Sequence, residues 1–271
     1  MLIINPARIR PRIIFVFSLS LNDALIKKTY EMTDMQIALL KDLLLNKQWD
    51  FFISVMIGTD RLQHMLWNHF DESHRRFVKN SPYKDSLKDY YSYIDTKLGE
   101  ILNLLDENTV VMLVSDHGMI KQEGKININN WLIQEGYLTL KDGINLSGKQ
   151  RFSTDFVDME KTAAYGGGAY NARVYLNRKK LGDSYKMVVE EIARKLKNIP
   201  DDKGNLLDTK VYKSGDIYKD ASSAECPDLI VYFDDLRWAS NPDIGQEGIY
   251  SWHTAVGADS AGHSRQGCFV I

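Results

Sequence analysis

Two short apolar runs constrain this chain most. Residues Trp49 to Gly58 read WDFFISVMIG, and Thr109 to Val114 read TVVMLV. Both are dense in β-branched or aromatic residues, the pattern of strands buried on both faces. Between them, from about Lys84 to Asp106, Tyr90, Tyr91, Ile94, Leu98, Ile101, Leu102 and Leu105 recur at helical spacing. Strand, helix and strand with so long a crossover predict parallel pairing. The expected fold class is α/β, a mostly parallel sheet with helices on both faces.

Other segments fit that class. Asn22 to Gln48 carries apolar residues at near-helical spacing, with Asn22 as a candidate cap. Ile126 to Gly136 reads as a short helix ended by glycine, and Asp183 to Lys197 as an amphipathic helix. Strands are expected at Tyr137 to Leu140, Ala172 to Leu176, Lys210 to Lys213 and Asp228 to Phe233, with a flexible turn at Gly166-Gly167-Gly168. No internal repeat, low-complexity tract or linker interrupts the chain. One domain over residues 1–271 is expected, with a small cap-like insertion around 120–225.

Composition excludes several function classes. The chain has 271 residues, a hydrophobic fraction of 44%, a charged fraction of 26% and a net charge of −2. Those are globular proportions, and the scattered Lys and Arg form no surface built for nucleic acid. Two cysteines far apart, Cys226 and Cys268, build no disulfide framework, so a reducing, cytoplasmic setting is the default. Arg8, Arg10 and Arg12 precede an apolar run, Ile13 to Leu19, the pattern of an export signal and so of an exported protein as the alternative, but Ser18 to Asp23 is a poor small-residue cleavage site. That run is too short to span a membrane and reads as a strand.

Both constraining runs end on a carboxylate–imidazole cluster. The first is Gly58-Thr59-Asp60-Arg61-Leu62-Gln63-His64, the second Ser115-Asp116-His117-Gly118. In an open α/β sheet, ligands bind beyond the carboxyl ends of the strands, so both clusters are expected on one rim. Asp60 and His64 share one face of a helical turn. One Asp-His pair alone is more often a cap or a hydrogen-bonded pair. Two such pairs after consecutive buried strands suit divalent metals such as zinc or manganese. His263, in Gly262-His263-Ser264-Arg265-Gln266-Gly267 ahead of an apolar C-terminal strand, is the third candidate histidine. His253 reads as a surface or supporting histidine, and His69 and His74, in a polar stretch, as solvated. Asn129, Asn130, Tyr165 and Trp252 are candidate pocket residues, with Asn130 and Tyr165 taken as substrate-binding. Asn129 and Asn130 also suit helix capping.

The segments GTDRLQH, VSDHGM, NINNWLIQEGYL, CPDLIV and GHSRQG, in that order, resemble the alkaline phosphatase superfamily. Within it they resemble the type I phosphodiesterase/nucleotide pyrophosphatase family. The resemblance implies hydrolysis of phosphodiester or pyrophosphate bonds in a small phosphoester substrate, with two divalent metal ions, zinc foremost. Asp60, His64 and His263 would hold one ion, and Asp116 and His117 would belong to the set for the other. A phosphomonoesterase or phosphomutase of the superfamily would share these ligands. A non-catalytic, metal-binding interaction module is the reading from another class.

The family pattern also has an aspartate after its opening strand, then a Thr or Ser nucleophile. Ser18, Ser20, Thr29 and Thr33 are the early hydroxyls here, and none sits in a matching context. No catalytic nucleophile is assigned. Gly262 stands where the family usually has threonine, and Ser264 where it often has arginine. On this comparison the domain is expected to be incomplete at both ends, the second ion under-ligated, and an oligomer or complementing chain a candidate partner.

Overall fold

The computed structural model describes residues 21–144, 148–219, 225–252 and 259–271. In chain order the helices and strands are α1 (Leu21–Asn46), α2 (Gly58–Phe70), α3 (Ser86–Leu102), β1 (Leu113–Val114), β2 (Gly118–Lys121), β3 (Gly124–Asn127), α4 (Ile128–Gln134), β4 (Ala164–Gly167) and β5 (Ala172–Leu176). There follow α5 (Arg178–Leu181), α6 (Tyr185–Lys197), β6 (Lys210–Lys213), α7 (Ser214–Ile217), β7 (Leu229–Tyr232), β8 (Trp238–Asn241), β9 (Tyr250–Ser251), β10 (Ala261–Ser264) and β11 (Phe269–Val270). Among the described residues no helix is long and apolar enough to cross a membrane.

The described residues fall into two compact units. The first comprises residues 21–72 and Val78–Val110, and the second Ser73–Phe77 and the rest from Val111 onward.

The first unit is helical. Leu62 and Leu66 of α2 bury their side chains with Leu87, Tyr90 and Ile94 on or beside α3, and Leu25, Ile26 and Tyr30 of α1 pack on them. Thr33 and Tyr90 share a buried 2.7 Å hydrogen bond that joins α1 to α3. Gly58 opens α2 directly under Tyr90, where a Cβ would stand 1.8 Å from the phenol oxygen. Only glycine fits there, and this close approach fixes where α2 begins. Asn22 lies inside α1 rather than capping it.

The run from Trp49 to Gly58 forms no strand, contrary to the sequence expectation. Phe52 and Met56 pack on Ile37, Leu40 and Ile101. Phe51, Ile53 and Val55 on the opposite side are 81%, 74% and 74% exposed. Ser54 between them is exposed as well, so no strict alternation runs through the segment, and no strand pairs with it among the described residues.

The second unit holds four small sheets. The largest, in order β4-β5-β7-β6, is antiparallel throughout. Its core is closed by α6, whose Val189, Ile192, Ala193 and Leu196 form one buried stripe. β3 lies between β8, parallel to it, and β9, antiparallel. β2 pairs with β10, and β1 with β11, both antiparallel. The expected mostly parallel sheet is therefore not seen: β3–β8 is the parallel pair among the described residues. The run at Thr109 to Val114 gives only the two residues of β1, both exposed. Tyr137 to Leu140 yields one isolated bridge, because the amides of Tyr137 and Leu138 are taken by the Leu132 carbonyl at the end of α4. Gly166 and Gly167 lie in β4, and Gly168, at φ +84°, makes the turn.

Candidate metal centre

In the first unit, the fixed start of α2 sets Asp60 and His64 one turn apart on one face. Asp60 Oδ1 and His64 Nε2 are 3.3 Å apart, and both side chains are largely covered. Two ligand atoms each about 2.0–2.1 Å from a tetrahedral ion stand about 3.3–3.4 Å from each other. The pair therefore has the spacing that adjacent ligands of one zinc-sized ion require.

In the second unit, strand pairing brings distant residues together. Register on β2–β10 sets His263 opposite Met119 and Ser264 opposite Gly118. Two glycines make the approach possible. A Cβ at Gly118 would lie 2.0 Å from the Gln266 carbonyl oxygen, and one at Gly267 would lie 2.4 Å from Ser115 Oγ. Ser115 is tied to Cys268 by two hydrogen bonds, its N–H donating at 3.0 Å and its Oγ accepting at 2.8 Å. Gly118 of SDHG and Gly267 of GHSRQG are thus contact residues of one corner.

His117 and His263 stack face to face there, with centroids 3.6 Å apart and planes at 16°. Tyr170 stacks on His263 at 4.0 Å and 21°. Two near-parallel rings this close cannot share one face, so His263 is held between Tyr170 and His117. The sequence signal for Tyr170 is its place just after Gly166-Gly167-Gly168, and it was not among the expected residues. His117 Nδ1 and the Gly118 carbonyl lie at 3.0 Å, the contact of an Nδ1–H donor. That tautomer leaves the Nε2 lone pair for a metal, the usual arrangement of a ligand histidine. Asp116 Oδ1 lies 3.7 Å from His117 Nε2, and its carboxylate is 90% exposed.

The candidate pocket residues go to several places. Asn129 is fully buried and clips α4 to β4: Gly166 N–H donates to its Oδ1 at 2.6 Å, and its Nδ2 donates to the carbonyls of Gly166 and Pro242. Asn130 donates to the Gln246 and Gly248 carbonyls at 2.7 and 2.8 Å, beside a 280 Å³ cavity that it lines with Gln134 and Glu247. Tyr165 stacks on Tyr175 across β4–β5 at 5.3 Å. Trp252 is 39% exposed, with the Arg75 guanidinium 5.7 Å from its ring centroid.

Two histidines expected in solvent are buried. His69 is 9% exposed. Its Nε2 accepts from Asn22 Nδ2 at 3.1 Å, and its Nδ1 donates to Ser81 Oγ at 2.7 Å. Burial holds its pKa below the ordinary histidine value. His74 is 3% exposed. Polar neighbours in sequence misled here, because the partners that let each imidazole be buried come largely from elsewhere in the chain: Asn22 and Ser81 for His69, and the Ser260 carbonyl for His74. Thr29 and Thr33 are buried in α1, their hydroxyls donating to the Leu25 and Thr29 carbonyls one turn back. His253, Ser18, Ser20 and the run Ile13 to Leu19 lie outside the described residues.

The model of the type I phosphodiesterase/nucleotide pyrophosphatase family matches residues 6–259. The chain belongs to that family, and so to the alkaline phosphatase superfamily, whose members act on phosphoester and nucleotide substrates and generally use divalent metal ions. No curated protein and no solved structure matches the chain.

Proposed function

We propose that the chain carries the metal-binding side of a phosphodiester or pyrophosphate hydrolase, with Asp60, His64 and His263 as one ligand set and Asp116 and His117 in a second. The observation that carries this reading is the 3.3 Å spacing of Asp60 Oδ1 and His64 Nε2. When bound, a pair of divalent ions would stabilise the attacking and leaving oxygens of an in-line displacement at phosphorus. His117 keeps its Nε2 lone pair available through the Nδ1 contact to Gly118. Gly118 and Gly267 hold the corner close enough for His263 to stand beside His117. Asp60 contributes negative charge that favours a cation over a lone imidazole. Nitrogen and carboxylate donors suit zinc, and manganese second. No hydroxyl of this chain is assigned as nucleophile.

The test is metal content after dialysis, with hydrolysis of bis(p-nitrophenyl) phosphate and p-nitrophenyl phosphate measured in parallel. The wild-type protein is expected to retain zinc at neutral pH, and His64→Ala and His263→Ala to lose it at least tenfold. Retention should fall in acid, because ligand histidines must be neutral to bind. Equal metal in all three proteins would overturn the ligand assignment. Metal without diester cleavage would favour a binding module, and preference for the monoester would move the chain to another branch of the superfamily.

A further inference from the structure

The segment Ser73–Phe77 lies in the second unit although the residues on both sides of it in sequence belong to the first. It is fastened there at every polar residue. Lys121 Nζ, at the end of β2, donates to the Ser73 carbonyl and hydroxyl at 3.3 and 3.2 Å. Arg75 donates to both carboxylate oxygens of Asp202 at 3.0 and 3.2 Å, and its guanidinium lies over Trp238. Arg76 donates to the Asp259 carbonyl.

His74 makes the contact nearest β10. Its Nδ1 accepts from the Arg76 backbone N–H at 3.0 Å, so the ring proton must sit on Nε2. Nε2 then donates to the Ser260 carbonyl at 2.9 Å. The same carbonyl accepts from Gln122 N–H at 3.0 Å, so both of its lone pairs are used. Ser260 is the residue before β10, and Gln122 the residue after β2. The imidazole therefore pins the junction of those two strands, three residues ahead of His263.

We infer that His74 is a positioning residue for His263: through Ser260 it sets the start of β10 and so holds the ring stack Tyr170–His263–His117. Its importance for metal rests on the proposed role of His263 as a ligand, but its effect on the stack does not.

The experiment is proton NMR of the metal-free full chain, following the His263 Cε1–H resonance assigned by its loss in His263→Gln. Rings on both faces should place this signal well upfield of a solvent-exposed histidine. His74→Phe keeps the bulk and removes both hydrogen bonds. It is expected to move the signal toward the exposed position and to weaken zinc binding tenfold to a hundredfold, the range for lost supporting contacts to a ligand. His74→Gln restores a donor toward Ser260 and is expected to return the signal to its upfield position and to recover most of the zinc binding. A folded His74→Phe protein with an unmoved signal would overturn the inference, as would His74→Gln behaving no better than His74→Phe. Should His74→Phe not fold, the wild-type protein still decides. Its His74 Nε2 proton is expected to exchange slowly and to show a through-space contact to Ser260 or Ala261, and absence of both refutes the proposal. A wild type with an upfield His263 signal that binds no zinc would sink the metal reading and leave the positioning claim standing on the signal alone.

Discussion

At the residue scale, burial decides what the histidines do. Desolvation disfavours the charged form of His69 in the folded protein and holds its pKa below the ordinary histidine value. In the unfolded chain it protonates below about pH 6.5. The unfolded state then binds the extra proton, so the folded state should lose stability as pH falls through that region. Urea midpoints at pH 7.5 and 5.5 check this. The acid-side drop should be smaller in His69→Asn, which keeps a donor for Ser81. An equal drop in both proteins would assign the effect to other groups. That Asp60 and His64 share one helical face was legible in sequence from their spacing of four. Tyr170 and His74 were not legible, since their roles arise from contacts across long sequence separations, to His263 and Ser260.

At the scale of elements, β7 shows how one acid organises a neighbourhood. Asp228, just ahead of β7, accepts from the Leu176 N–H at 2.6 Å, from the Arg178 guanidinium at 2.7 Å and from the Tyr185 hydroxyl at 2.5 Å. It thereby joins the ends of β5, α5 and α6. Burial, and then the hydrogen bond to this carboxylate, push the Tyr185 phenol up to about 12. Asp228→Ala is expected to cost about 3 kcal/mol, the lower end for removing one partner of a buried pair, since Arg178 is half exposed and regains water. The urea midpoint measures it, and a loss below about 1 kcal/mol would show that the three donors find solvent without penalty. Elements of this kind were the readable ones. Ala172–Leu176 and most of α6 carry their period within the segment. Sheet direction was not readable, because apolar density says that a run is covered or extended but not which partner it meets. Trp49 to Gly58 is the clearest case, unpaired among the described residues.

At the scale of the whole molecule, each unit shows apolar surface. Phe51, Ile53 and Val55 do so in the first, and Val114, Phe269 and Val270 in the second. Exposed apolar runs of this kind are association-prone. The purified chain is expected to enhance the fluorescence of a hydrophobic dye. Replacing Phe51, Ile53 and Val55 together by serine should lower that signal with the helical circular dichroism unchanged. No dye response from the wild type would mean that these side chains are covered in solution.

The path of the chain has a practical consequence. Residues 73–77 belong with residues 111 onward, so no single cut separates the units along their own boundary. A shortened chain beginning at Val111 would keep β10 and lose the imidazole that pins it. Its Ser260 carbonyl would give up one of two donors, and Asp202 its guanidinium. Anyone dissecting this protein should therefore carry the pentapeptide along, grafted ahead of Val111 or supplied as a separate peptide.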